Sequence, residues 1–119
     1  IDHGCQSIHE PELLKYLKEH EILCAMCPTS NIWTGAAKNY EEHPAVTMMR
    51  AGVPVSISSD DPPYMVDLVQ EYAIALDEMH FTEDELIQTA RNAFAYSIKG
   101  QKYLEQFDVW VEAFKKNEA

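Results

Sequence analysis

Basic residues are scarce in this sequence: Lys and Arg together number 9 against 20 Asp and Glu, which gives a formal net charge of −11. This acidity argues against nucleic acid or a membrane surface as a partner, because both attract clustered positive charge. No stretch approaches the roughly 18 consecutive apolar residues of a membrane-spanning helix. With only 4 glycines and 6 prolines, the chain also falls outside the collagen-like and low-complexity classes. What remains is an acidic globular chain.

Cysteine is rare as well, and its count of 3 is odd. A low, odd number favours a reducing compartment over a disulfide scaffold, and no signal peptide is visible, so we expect a cytoplasmic protein. Cys24 and Cys27 have the spacing of a redox or zinc motif, but they lie in an apolar run, residues 22–27, that is typical of a buried strand. Residues three apart in a strand point to opposite faces, which predicts structural core cysteines here.

The predicted elements alternate between strands and helices. They are a strand end at residues 1–4, a helix at 10–21, a strand at 22–27, a loop at 28–40, a helix at 44–51, a strand at 53–59 and three further helices. The first of these three is indicated by an apolar stripe of Val69, Tyr72, Ala73 and Leu76, the second by a capping box of Thr82 and Glu85, and the third by apolar residues from Leu104 to Phe114. The alternation predicts an α/β fold with a parallel sheet.

Polar residues follow each predicted strand: His3 follows the first, Asn31 comes soon after the second, and Asp60 and Asp61 follow the third. In parallel α/β folds, catalytic and ligand-binding residues are usually found at the C-terminal edge of the sheet. Two adjacent carboxylates repel each other, and a bound cation would relieve that repulsion. The alternative for the two aspartates is a turn in which one of them caps the next helix. The alternative for His3 is a packed or exposed side chain without a function, as is common for a lone histidine before glycine. Glycine-rich nucleotide fingerprints, HExxH and GxSxG are absent.

Four short sequence motifs, called blocks below, favour a functional site over these structural alternatives. They are Ile1–Gly4, Cys27–Asn31 with Thr34–Ala36, His43–Pro44, and Val55–Pro62. In this order, over about residues 1–98, they closely resemble the C-terminal part of the adenosine/adenine deaminase family, whose members are zinc-dependent amidohydrolase-type (β/α)8 barrels. Such a barrel typically takes about 250 residues. The resemblance therefore implies that residues 1–119 are the C-terminal portion of a single barrel domain of the TIM type, with the last two to three βα units, incomplete on its own, and with an extra helix at 101–117.

The resemblance also implies a reaction, the hydrolytic deamination of adenosine to inosine and ammonia. By motif, Asp60 resembles the catalytic carboxylate that binds the single Zn2+, and Asp61 resembles the residue that hydrogen-bonds the purine ring. His3 resembles the histidine that orients the attacking water and helps its deprotonation. Zinc suits this chemistry because it lowers the pKa of a bound water from about 15.7 toward about 7.

The rest of the family's site is missing from this sequence. It contains no HxH pair, and His9 and Glu12, which have HxxE spacing, fall in the wrong place in the family order. We therefore expect the other metal ligands and the main general acid in an upstream part of the same barrel, and an inactive fragment without it. A non-catalytic barrel fragment is the alternative.

The substrate among 6-aminopurines is less well defined. The Thr34–Ala36 element resembles the corresponding element of the adenosine enzymes, while deamination of adenine to hypoxanthine is the alternative.

For the helix at 101–117, which lies outside the four blocks, packing and oligomer contact both remain open, and so does the oligomeric state.

Overall fold

In the computed structural model, which describes residues 1–118, helices pack around short parallel strands. The elements are a 3-10 helix at Cys5–His9, α1 at Pro11–Glu19, β1 at Cys24–Met26, α2 at Pro28–Trp33, α3 at Pro44–Arg50, β2 at Val55–Ile57, α4 at Leu68–Asp77, α5 at Glu83–Ala95, a second 3-10 helix at Gln101–Tyr103 and α6 at Leu104–Glu118.

The sheet is parallel, as the alternation of elements predicts. β1 and β2 pair in parallel, with Ala25 opposite Ser56. On the other side of β1, Asp2 forms an isolated parallel bridge with Ala25, and the His3 N–H donates to the Ala25 carbonyl (2.8 Å). Three consecutive chain segments therefore run side by side in one direction, and their C-terminal ends lie at the same edge.

The hydrophobic core lies around these strands. Its buried members include Leu17, Cys24, Met26, Met48, Val53, Val55, Ile57 and Phe81. The three cysteines are buried free thiols, and Cys24 lies in the core as predicted. Helix α5 packs against β2, and the side-chain amide of Asn92 donates to the Val55 carbonyl (2.8 Å), so an amide side chain satisfies a backbone acceptor of the strand.

The predicted loop at 28–40 is wrong over its first residues, where the structure has the six-residue helix α2. Proline at the first helical position is compatible with a helix because it has no N–H to leave unsatisfied there. A second stabilising contact comes from a distant residue: the carboxylate of Glu71 in α4 accepts a hydrogen bond from the Thr29 N–H (3.3 Å). Glu71 is fully buried, and burial raises its pKa.

Of the apolar stripe predicted for α4, Tyr72 packs against the core, but Val69 and Leu76 do not. Val69 is 79% exposed and Leu76 is 48% exposed, whereas Glu71 and Ala75 form the buried side of the helix. The orientation of α4 about its axis is explained by the contact between Glu71 and α2. Because the Glu71 carboxylate hydrogen-bonds a buried backbone N–H, the helix face that carries Glu71 must point toward the interior.

The other predicted helices are confirmed within a few residues at their ends. His43 caps α3, accepting from the Ala45 N–H through Nδ1, and α5 opens with the complete capping box of Thr82 and Glu85. No helix within residues 1–118 combines the length and apolar character that crossing a membrane requires.

Candidate active site

The C-terminal edge of the sheet brings two of the predicted site residues together. The Nε2 atom of His3 lies 4.0 Å from Oδ2 of Asp60, and both side chains are partly exposed. Both residues also have positive φ angles, 61° for His3 and 59° for Asp60. Residues other than glycine adopt this conformation uncommonly, although histidine and aspartate do so more often than most, and Glu21 and His80 adopt it away from this edge.

A cleft of about 430 Å3 opens over this pair. Its lining residues are His3, Gly4, Cys5, Gln6, Ser7, Ser30, Asn31, Thr34, Ala36 and Asp60. The lining comes from the 3-10 helix, from α2 and from the residues that follow β2, so all three strand ends contribute. The cleft is large enough for a small-molecule ligand.

Asp61 lies apart from this group. Its side chain is exposed, and within residues 1–118 it is not among those lining the cleft. The Asp61 carbonyl accepts hydrogen bonds from the Tyr64 and Met65 N–H groups, at 3.0 and 3.1 Å. In this structure Asp61 therefore starts a turn through its carbonyl group, and the residue that caps the next helix is Asp67 rather than either of the paired aspartates.

Cys27 joins His3 and Asp60 to form a group of three possible metal ligands. One nitrogen, one sulfur and one oxygen atom from these residues all lie within 4.8 Å of one another. The interpretation of Cys27 as a core residue is thus incomplete, because the thiol, although buried, also borders the site. Its proximity depends on the turn into α2, which the sequence does not reveal.

The donor types of this group fit zinc, which binds imidazole nitrogen, thiolate sulfur and carboxylate oxygen. Burial raises the pKa of the Cys27 thiol to about 12, and the negative charges of Asp60 and Glu71 add to the effect. Cys27 therefore stays a neutral thiol at neutral pH in the absence of a metal charge. The carboxylate of Asp60 is the better anionic ligand, and the three residues provide fewer than the four ligands of a closed zinc site.

Asn31 connects this edge to the core. Its amide nitrogen lies 3.0 Å from Nδ1 of His3, and its oxygen lies 3.1 Å from Nε2 of His43. His43 is buried, and burial lowers its pKa to about 4, so it is neutral at pH 7. The sequence places Asn31 and His43 in the four family blocks but assigns no role to either side chain. No spacing rule links residues 3, 31 and 43.

Comparison with known proteins agrees with this geometry. A family model described as "Adenosine deaminase" matches residues 1–112, which extends beyond the four sequence blocks into α6. Over 93 residues the chain is 41% identical to an adenosine deaminase of Shewanella denitrificans, with 77% of this chain and 28% of that protein covered. It is also 47% identical over 94 residues to an aminodeoxyfutalosine deaminase of Streptomyces avermitilis, covering 78% and 26%. The chain thus spans about a quarter of the length of these relatives.

Solved structures match the same fold. An adenine deaminase from Arthrobacter aurescens superimposes with a TM-score of 0.83 at 25% identity, covering 94% of this chain and 36% of that one. An amidohydrolase from Burkholderia ambifaria with bound zinc matches in fold, with a TM-score of 0.77 at 20% identity over 97% and 35% of the two chains. The parallel strands and their helices therefore match part of the fold of these solved structures, and the chain belongs to the adenosine deaminase family.

Proposed function

We propose that this chain forms the C-terminal part of the active site of a zinc-dependent purine deaminase. The observation that carries the proposal is the meeting of His3 and Asp60, from two strand ends, over a cleft of ligand size. The family match supports the reaction class, in which water replaces the exocyclic amine of a 6-aminopurine and ammonia leaves.

Each residue has a proposed part in this reaction. Zinc, when bound, would supply a water that is activated for attack on the purine. Asp60 would hold the metal and take part in catalysis through its carboxylate, and His3 would lie beside the attacking water. Asp61 would bind the purine ring, a role that requires its exposed side chain to turn toward the substrate in the complete barrel.

The substrate is proposed to be adenosine. Thr34 and Ala36, from the element that resembles the adenosine enzymes, both line the cleft, which supports this choice. Adenine is the second candidate, favoured by the structural match to an adenine deaminase. The free thiols fit a reducing compartment, so we retain the cytoplasm as the proposed location.

The experiment uses the full-length protein, stripped with a chelator and reloaded with zinc. The ultraviolet absorbance of the purine is followed with adenosine, adenine and aminodeoxyfutalosine in parallel. We expect zinc-dependent turnover, fastest with adenosine, and a higher rate with adenine would select the second candidate. Absence of turnover of adenosine and adenine, with zinc bound in stoichiometric amount, would refute the deaminase assignment for these purines.

A non-catalytic domain of the same fold is a further candidate, because this sequence contains no HxH pair and, within the described residues, one carboxylate, that of Asp60, belongs to the possible metal-ligand group. The two candidates differ in metal content. A catalytic protein is expected to bind about one zinc per full-length chain, whereas a domain without the remaining ligands would bind none after dialysis.

A further inference from the structure

The side chain of Asn31 is only 1% exposed, and its orientation is determined by its neighbours. The oxygen Oδ1 lies 3.3 Å from the Cys27 backbone N–H. Because a backbone N–H can only donate a hydrogen bond, the Asn31 atom facing it must be the oxygen, not the amide nitrogen. The structure therefore determines which position of the Asn31 side-chain amide holds the oxygen and which holds the nitrogen.

His43 supports the same orientation. Its Nδ1 accepts from the Ala45 N–H (3.2 Å), so Nδ1 carries no proton. The proton of the neutral ring is then on Nε2, and Nε2 donates it to Oδ1 of Asn31 (3.1 Å). The Sγ atom of Cys5 also lies 4.0 Å from Nε2, and burial raises the pKa of that thiol, so it stays neutral. His43 therefore donates a hydrogen bond to Asn31 and accepts none from it.

With Oδ1 satisfied by two donors, the amide group of Asn31 faces Nδ1 of His3 at 3.0 Å. An amide nitrogen can only donate, which makes Nδ1 of His3 an acceptor without a proton. The neutral His3 ring must then carry its proton on Nε2, the nitrogen that lies 4.0 Å from Asp60. The opposite tautomer would place two donors against each other at Asn31.

We propose that Asn31 and His43 are positioning residues that hold His3 in the tautomer with the proton on Nε2. His3 then presents a hydrogen-bond donor, rather than a base, to the cleft and to Asp60. This inference deepens the proposed function, because it changes the task of His3 from removing a proton to orienting an oxygen atom in the site.

The tautomer can be measured without any substrate. Two-bond 1H–15N spectra of the full-length protein, labelled with 15N-histidine and assigned by comparison with His3→Gln, distinguish a ring protonated at Nε2 from one protonated at Nδ1. We expect Nε2–H in the native protein. Asn31→Asp exchanges the amide donor for an acceptor, so His3 should switch to Nδ1–H. Asn39→Asp makes the same chemical change elsewhere in the chain and should leave the tautomer as it is.

Two variants of His43 separate positioning from simple helix capping. His43→Asn keeps an acceptor for the Ala45 N–H but loses the donor to Asn31, whereas His43→Gln keeps a donor at the place of Nε2 and weakens the cap. We expect His43→Asn to lose about 10- to 100-fold in kcat with little change in KM or zinc content. His43→Gln should recover part of the rate while unfolding at a lower temperature.

The results distinguish this inference from the proposed function. Nδ1–H in the native protein, or full activity and an unchanged His3 spectrum in both His43→Asn and Asn31→Asp, would overturn the positioning role. A native Nε2–H signal in a zinc-loaded protein that turns over no purine would instead refute the proposed deaminase and leave the hydrogen-bond chain intact.

Discussion

At the residue scale, Asp60 and Asp61 are neighbours in sequence with different surroundings. Asp60 faces the cleft at 4.0 Å from His3, with a left-handed backbone that turns it away from the direction of β2. Asp61 begins the following turn through its carbonyl group. Because adjacent side chains diverge at a strand end, a metal ligand and a substrate contact can stand next to each other in sequence.

This divergence leads to a paired prediction in the full-length protein. Asp60→Ala should lose bound zinc and activity together, because it removes an anionic ligand. Asp61→Ala should keep the metal and lower kcat/KM by about 10- to 100-fold, which is the loss expected when one charge-assisted hydrogen bond to the substrate is removed. Metal analysis and steady-state kinetics on both variants provide the check, and each variant is the control for the other. Stoichiometric zinc in Asp60→Ala would contradict the ligand role, and an unchanged kcat/KM in Asp61→Ala would remove that residue from the site.

Part of the candidate site was predictable from the sequence. His3 and Asp60 follow strands, and parallel strands place their C-terminal ends at one edge, so their proximity follows from a local pattern. Asn31 could be placed near that edge, but its hydrogen bonds with His3 and His43 could not be predicted. Those contacts join residues 28 and 12 positions apart and depend on side-chain directions that exist only after folding.

At the element scale, short helices depend on contacts from distant parts of the chain. Helix α2 has six residues, too few to show a periodic pattern or to be stable alone. Its Pro-Thr-Ser-Asn composition is typical of a loop, and the stabilising Glu71 lies 42 residues from Thr29. Longer elements carry their own signals, and α5 was therefore predictable from its capping box.

The start of α5 provides a test of stability. Glu85 accepts from the Thr82 N–H (2.9 Å) and from Arg50 (2.8 Å), and these hydrogen bonds lower its pKa to about 2. The full pKa change would correspond to about 3 kcal/mol, and solvent screening around the half-exposed Arg50 reduces the expected contribution to about 1–2 kcal/mol. Glu85→Gln should lower the free energy of unfolding by that amount at pH 7.

The pH dependence has a defined sign. Because the pKa of Glu85 is lower in the folded chain than the ordinary value of 4.5, its contribution is present above about pH 4.5 and is lost as the pH falls toward 2. Denaturant titrations of the full-length protein should thus show a smaller difference in unfolding free energy between native and Glu85→Gln at pH 3 than at pH 7. Glu112→Gln, at an exposed position of α6, is the control. An equal difference at both pH values would contradict the assignment.

At the scale of the whole molecule, the described residues form a segment of a barrel wall. A groove of about 480 Å3 between α4, α5 and α6 is lined mainly by apolar side chains, among them Leu76, Phe107 and Trp110. The alternation of strands and helices predicted the parallel sheet, and the family resemblance implied the barrel. The rotation of α4 was not predictable, because apolar periodicity alone does not show which face meets the core.

The last prediction compares this segment with the full-length protein. Residues 1–119 alone, supplied with zinc, should show no purine deamination, because the described residues bring only His3, Cys27 and Asp60 together as possible ligands, and the Asn31 hydrogen bond leaves His3 as a donor rather than a ligand. Zinc sites need about four ligands, and the thiol of Cys27 resists ionisation. Adding the upstream part as a separate polypeptide should restore zinc-dependent activity if the two parts assemble, and the same mixture with Asp60→Ala should stay inactive. Turnover by residues 1–119 alone, at the rate of the full-length protein, would show that the site is complete without an upstream contribution.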